Sequence, residues 1–203
     1  TKQLKYNEYI CRQERECSML ADIVIVPSEF VAREVEALGV ACSKIRTIPF
    51  GCDFKTEAAQ DSSEPELAKV KFVFAGNVSY RKGIDLLLEA WDSPCFAQDE
   101  LHLCGKVFPE IKALLNAKKF SNVYLPGFVN TYEYFLDRDV YVFPSLMVGS
   151  SKSIYEAMAC ALPVIATFES GSVIQHGVDG FVIPAGDSES LRSAMIRFKE
   201  ERT

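Results

Sequence analysis

Long apolar runs are missing from this 203-residue chain. None reaches the ~18–20 residues that a membrane-crossing helix needs. No basic segment followed by an apolar one opens the sequence, so no secretory leader is expected. A basic surplus is missing too: 22 Lys and Arg stand against 28 Asp and Glu, for a net charge of −6. With a sequence pI near 5.1, no nucleic-acid partner is expected. Histidine is scarce, with only His102 and His176. The seven cysteines are odd in number and form no C-x-x-C pair. Their spacing supports neither a zinc site nor a disulfide scaffold, and a reducing compartment is expected. There is no G-x-G-x-x-G run, which excludes the phosphate fingerprint of dinucleotide-binding oxidoreductases. Beyond strand–helix alternation there is no internal repeat and no low-complexity tract.

What is present is a series of short apolar runs separated by helical patterns. The runs at 23–27, 45–50, 70–75, 101–104, 123–125, 140–143, 164–166 and 181–183 read as strands. Many are continuously apolar, as in parallel sheets covered on both faces. Helical patterns occupy 28–38, 83–91, 109–119, 131–138, 153–161 and 188–201, with Pro109 placed as a first-turn proline. The alternation predicts an α/β fold with a doubly wound parallel sheet. The polar, acidic, turn-prone stretch 51–67 reads as a linker. It leaves a segment 1–50 before it and a domain 68–203 after it.

In such sheets, phosphorylated ligands bind where a strand gives way to a helix N-terminus. The run 142–184 offers that corner. A strand ends at Pro144, the small residues Gly149, Ser150 and Ser151 follow, and a helix begins near Ser153 with Glu156 in its first turn. Two readings compete for Glu156. Ser153 and Glu156 spell a capping box, S-x-x-E, in which the carboxylate bonds the backbone of the N-cap. Alternatively, the carboxylate accepts hydrogen bonds from two adjacent hydroxyls of a ligand. A second loop, from Gly76 and Asn77 to Arg81, Lys82 and Gly83, follows the strand at 70–75; it reads as a phosphate grip or as a solvated basic turn. Asn77-Val78-Ser79 is also a glycosylation sequon, set aside for a cytoplasmic chain. Gly105 and Gly127 end neighbouring strands, where glycine lets backbone approach a ligand; an ordinary turn is the competing reading. Asp137-Arg138-Asp139 spells D-x-D but precedes a strand, the wrong end for a ligand, so no metal is expected there. His102 alternates within a strand and His176 sits in a turn; neither is assigned a catalytic role.

The sequence FPS at 143–145, Glu156, AMA at 157–159 and PVIA at 163–166 resembles the nucleotide-sugar site of group 1 (family 4) glycosyltransferases of the GT-B fold. Their frame reads FPS-x-x-E-G-x-G, a second Glu eight residues after the first, then AMA-x-G-x-PVIA. The resemblance runs over roughly 21–197 and implies a Rossmann-like sheet, the C-terminal, donor-binding half of such an enzyme. On that reading 1–50 is the remnant of the N-terminal acceptor domain, and the start at Thr1 marks a trimmed chain. Glu156 would hold the nucleotide ribose. Lys82 and Arg81 would neutralise the departing diphosphate, and with Glu156 they are the residues expected to carry catalysis. Gly76 and Asn77 would flank the diphosphate, Gly105 would lie close to the ligand, and the backbone of Gly127, Phe128 and Val129 would recognise the base. Gly149, Ser150, Ser151, Lys152 and Ser153 would offer backbone N–H groups to phosphate or sugar oxygens. Val148 stands where the first Glu is expected, Ser151 where a second Gly is usual, and Asn77 where many members carry Arg. The run 167–180 departs from the usual G-G-x-x-E.

The resemblance implies a hexosyltransferase, retaining, acting in polysaccharide biosynthesis without a metal or other cofactor. Its donor would be a UDP-sugar or GDP-sugar. The acceptor would be a glycan or lipid-linked molecule held by the N-terminal domain, and the fragment alone would be inactive. A cytoplasmic location follows, with peripheral association of the full-length protein at the inner face of the membrane left open. Two alternatives stand beside it, a nucleotide-sugar-binding module without turnover and a GT-B epimerase-like protein.

Overall fold

The computed structural model describes residues 2–53 and 69–201, with the side chains of the first helix from Tyr9 onward. The expected linker at 51–67 therefore lies outside the described residues except for 51–53. The chain begins with α1 (Lys2–Leu20), β1 (Val24–Val26), α2 (Glu29–Ala37) and β2 (Ile45–Thr47). β1 and β2 pair in parallel as a two-stranded sheet. The second part runs β3 (Lys71–Ala75), α3 (Ile84–Trp91), β4 (Glu100–Cys104), α4 (Pro109–Lys118), β5 (Val123–Gly127), α5 (Thr131–Phe135), β6 (Val140–Phe143), α6 (Lys152–Ala159), β7 (Val164–Thr167), β8 (Gly180–Ile183) and α7 (Ser188–Glu201).

The second sheet is wholly parallel, in the order β5-β4-β3-β6-β7-β8. This is the doubly wound arrangement expected from the continuous apolar runs. β6 and β7 are buried along their whole length, as strands covered by helices on both faces must be. Strand order reverses between β3 and β6, and ligand crevices of open α/β sheets form at the carboxyl side of such a point.

Beneath β3 lies an aromatic cluster. Phe72 packs on Trp91 (5.4 Å between ring centres) and Trp91 stacks on Phe96 (4.9 Å). Its polar edge is satisfied by Asn122, whose Oδ1 accepts from the Trp91 indole at 3.2 Å and whose amide donates to the Phe96 and Asp99 carbonyls. Asp99 is buried, and it accepts from Val70 N at 2.9 Å and from the Lys199 ammonium at 2.5 Å. That pair fixes α7 to the amino end of the sheet.

Two departures from the sequence-based expectation have local causes. α1 has no apolar stripe, so its periodicity carries no helical signal; its carboxyl end is held by the Lys44 ammonium on the Met19 and Ala21 carbonyls (3.1 and 2.9 Å). α5 stops at Phe135 instead of reaching 138. The backbone must extend there because Asp139 pairs with Lys71 through both its amide (3.0 Å) and its carboxylate (2.7 Å), starting β6 beside β3.

Candidate functional site

The loop after β3 must rise, turn and enter α3 within a few residues. A 3-10 turn at Tyr80–Lys82 does this and closes on Gly83, whose φ of 67° lies in the left-handed region. A Cβ at Gly83 would stand 2.0 Å from the Pro144 carbonyl oxygen, so only glycine lets this turn press against the end of β6. The Arg81 carbonyl accepts from Leu146 N and Ser145 Oγ, both at 3.2 Å, which ties the turn to the loop after β6.

This packing buries Lys82. Its residue is 9 % exposed and its ammonium sits 5.0 Å from the centre of the Phe143 ring. No carboxylate pairs with it among the described residues. Burial, helped by the neighbouring charge of Arg81, pulls its pKa down to about 8. A buried cation without a counter-ion is costly, and an anion arriving in the cavity removes that cost.

The opposite wall is the first turn of α6. Ser151 is its N-cap and the helix starts at Lys152, one residue earlier than expected. The capping-box reading therefore fails. Ser153 lies inside the helix, and its Oγ stands 2.7 Å from the Tyr141 hydroxyl and 3.0 Å from Ser151 Oγ. Tyr141 is wholly buried and bridges from there to the Ala75 carbonyl at 3.1 Å, locking α6 to the carboxyl end of β3. Burial holds that phenol above its usual pKa, so it stays neutral. The amides of Ser151, Lys152 and Ser153 have no acceptor among the described residues and form the positive end of α6. The carboxylate of the half-buried Glu156 also has no hydrogen-bond partner among them.

The third wall comes from β4 and β5. Gly105 (φ 120°) carries its backbone so close to Gly76 that a Cβ would meet the Gly76 carbonyl at 2.1 Å. Its amide donates to the Gly127 carbonyl at 2.6 Å, and Phe128 beyond is 85 % exposed.

These walls enclose a cavity of 440 Å³. Of the residues singled out in the sequence, Gly76, Asn77, Arg81, Lys82 and Gly105 line it. Phe128, Val129, Ser151, Lys152, Ser153 and Glu156 also line it. Ala75, Cys104, Thr131 and Phe143 line it as well. The sequence reading passed over these four, although three end β3, β4 and β6 and convergence of strand ends at the reversal of order would have found them. Cys104 is no nucleophile, since burial pushes its thiol up to about 12.

Four expected residues lie outside this cavity. Gly127 acts through its carbonyl on Gly105. Ser150 Oγ stands 3.4 Å from the Tyr155 hydroxyl. Val148 and Gly149 line a neighbouring groove, and both their amides donate to the Glu169 carbonyl, at 3.1 and 3.4 Å. The N–H groups expected to face a ligand from Gly149 are thus spent within the protein, and those of Ser151, Lys152 and Ser153 remain.

The other polar motifs lie elsewhere. Asp137 pairs with Lys71 (2.8 Å) and Arg138 (2.9 Å) at the amino end of the sheet. His102 is bracketed by Tyr134 Oη (2.8 Å) and Glu100 (3.2 Å), with burial holding its pKa down. The exposed His176 accepts from Val182 N through Nδ1 at 3.1 Å. A further cavity of 500 Å³ lies at the amino ends of β7 and β8, with Asp139, Asp179 and Glu201 as its charged lining. Among the described residues no three metal-ligating side chains gather, and no helix is long and apolar enough to cross a membrane.

With this geometry in place, comparison with known proteins decides the family. The model of the glycosyl transferases group 1 matches residues 69–201. The chain belongs to the group 1 glycosyltransferases. Among its relatives is the amylovoran biosynthesis glycosyltransferase AmsK of Erwinia amylovora, 24% identical over 199 residues that cover 88% of this chain and 48% of that protein. The chain spans about half the length of the curated relatives it matches. Sucrose-phosphate synthase of Thermosynechococcus elongatus superposes with a TM-score of 0.75 at 25% identity, over 93% of this chain and 51% of the other. HepE of Anabaena, in complex with UDP and glucose, gives 0.68 at 21% identity, over 89% and 54%. The glycosyltransferase fold thus extends over most of the chain.

Proposed function

We propose that this group 1 glycosyltransferase chain is a donor-binding half, and that its 440 Å³ cavity takes a nucleoside diphosphate sugar, UDP- or GDP-linked. The observation that carries this reading is Lys82, a largely buried lysine without a carboxylate partner among the described residues, which lines the same cavity as the open amides of α6. A diphosphate fits between them, with Arg81 and Lys152 adding charge at the rim. Glu156, otherwise unpartnered, accepts from the two ribose hydroxyls. The base lies toward Gly105, Phe128 and Val129. The UDP held by HepE supports the same ligand class here.

In the full-length protein, transfer to a glycan or lipid-linked acceptor follows. The bond between the sugar C1 and the β-phosphate oxygen breaks, its electron pair going to the diphosphate. An acceptor hydroxyl oxygen bonds C1 and its proton leaves. Lys82, Arg81 and the α6 N-terminus stabilise the charge that develops on the diphosphate, which is where preorganised donors lower a barrier most. These groups do the work that a divalent metal does elsewhere. No general base is assigned within this chain. The two-part organisation, with residues 1–50 belonging to an acceptor domain and 68–203 to the donor domain, belongs to the same proposal, as do retention at C1, polysaccharide biosynthesis and a cytoplasmic site of action.

Val148 favours a second reading, a donor-binding module without turnover, because valine carries no charge where the family frame places its first Glu. Full-length Val148→Glu distinguishes the two by raising the transfer rate or leaving it at zero.

Calorimetric titration with UDP, GDP and ADP, with and without magnesium, tests the binding claim. The expected result is selective binding of one diphosphate, indifferent to magnesium and weakened about tenfold by Glu156→Gln, the loss of a charge-assisted hydrogen bond. Absence of binding at millimolar concentration, or equal binding by Glu156→Gln, contradicts it.

A further inference from the structure

Beside the donor cavity runs a second groove of 400 Å³, lined by Phe30, Val31 and Glu34 of α2, by Arg81, and by the loop Met147, Val148, Gly149. Arg81 lines both spaces, so the groove adjoins the cavity at that side chain. The two walls are clamped together. Ser28 Oγ donates to the Gly149 carbonyl at 2.5 Å while accepting from Val31 N at 3.2 Å. Phe30 meets Phe168 edge-on at 6.0 Å, and the Arg33 guanidinium lies 4.6 Å from the centre of the same ring. Phe168 follows β7 directly, and the Glu169 carbonyl next to it holds the Val148 and Gly149 amides. α2 is thus fixed against the loop through its N-cap, two side chains and a shared turn.

The groove is chemically two-faced. Phe30, Val31, Met147 and Val148 give an apolar floor, and Met147 is 61 % exposed. Glu34 and Arg81 are its only charged side chains, and neither side chain has a hydrogen-bond or ion-pair partner among the described residues. An apolar floor with one acceptor-only carboxylate and one donor-only guanidinium suits a pyranose, which presents C–H groups on its faces and hydroxyls on its rim. A bare phosphate would meet the Glu34 carboxylate as a repelling charge, which argues against the groove as an extension of the anion site.

We infer that this groove receives the hexosyl group of the donor and that Glu34, carried by α2, reads its hydroxyls. The inference rests on the donor-binding reading above. It assigns the sugar-facing carboxylate to a helix of the first part of the chain, while the loop position Val148 contributes apolar contact. Glu34 is then a specificity-determining residue, and its partner in the work is Arg81, which touches both diphosphate and sugar.

Calorimetry on the chain compares each of UDP-glucose, UDP-galactose, UDP-N-acetylglucosamine, GDP-mannose and GDP-fucose with its own free diphosphate. At least one nucleotide sugar is expected to bind about tenfold more tightly than its diphosphate, the gain of one or two hydrogen bonds to a charged group. Glu34→Ala is expected to abolish that gain and leave the affinity for the free diphosphate unchanged. Glu36→Ala, on the same exposed helix but outside the groove, is expected to change neither. Alanine favours a helix, so loss of folding does not cloud the comparison. A nucleotide-sugar preference that survives Glu34→Ala overturns the inference, as does the lack of any preference in the parent chain. If no free diphosphate binds at all, the donor-binding reading itself falls, and this inference with it.

Discussion

Lys82 has no carboxylate partner among the described residues to support its charge against burial, and replacing it separates binding from stability. Lys82→Met keeps the length and apolar stem of the side chain and removes the charge. It is expected to weaken binding of the preferred nucleoside diphosphate by about 30- to 100-fold, the range for losing charge-assisted bonds. The melting temperature of the free protein should stay level or rise, because an uncompensated buried charge is gone. A variant that loses binding only by unfolding would refute this. The pH dependence has a definite sign. With the folded pKa at about 8, below that of an exposed lysine, the unfolded chain binds more protons between there and about pH 10. Stability of the free protein therefore rises with pH across that window, and Lys82→Met should flatten the rise in thermal melts taken from pH 7 to 10. Ligand affinity runs the other way: it is highest below pH 8, where Lys82 is protonated, and falls above it.

At the level of elements, the turn before α3 and the clamp on α2 make separate demands. Gly83→Ala puts a methyl group 2.0 Å from the Pro144 carbonyl at a φ of 67°. It should cost more than about 2 kcal/mol, seen as a lowered denaturation midpoint, since the strain of a positive φ adds to a backbone clash. Ser28→Ala removes an N-cap and the link to Gly149 together and should cost about 1–2 kcal/mol. The main sheet was readable because its strands are short apolar runs, and in β6 and β7 burial on both faces is what makes them continuous. Gly105 and the basic loop were readable as cavity lining for a related reason, since close approach and charge are local needs, whereas Gly127 lies outside the cavity. α1 was not readable, because its residues carry no apolar period. The start of α6 was misread by one residue, because Ser153 spends its hydroxyl on Tyr141, twelve positions away in sequence. The fate of the Val148 and Gly149 amides was equally hidden, since their acceptor, Glu169, lies beyond β7 in sequence and is reached only once that strand is in place.

For the whole molecule, α2 of the first part packs against Gly149 and the turn after β7, so the groove proposed for the sugar is lined by both parts of the chain. The central claim is that the cavity takes a diphosphate at the unpaired ammonium of the largely buried Lys82. The most direct test is calorimetric titration of UDP, with GDP alongside, at pH 8 in buffers of different ionisation enthalpy, which counts the protons taken up on binding. Because Lys82 is about half protonated there and its pKa rises beside the diphosphate, binding should draw in about half a proton, and Lys82→Met should draw in none. Tight binding with no proton uptake, or uptake undiminished in Lys82→Met, would contradict the account.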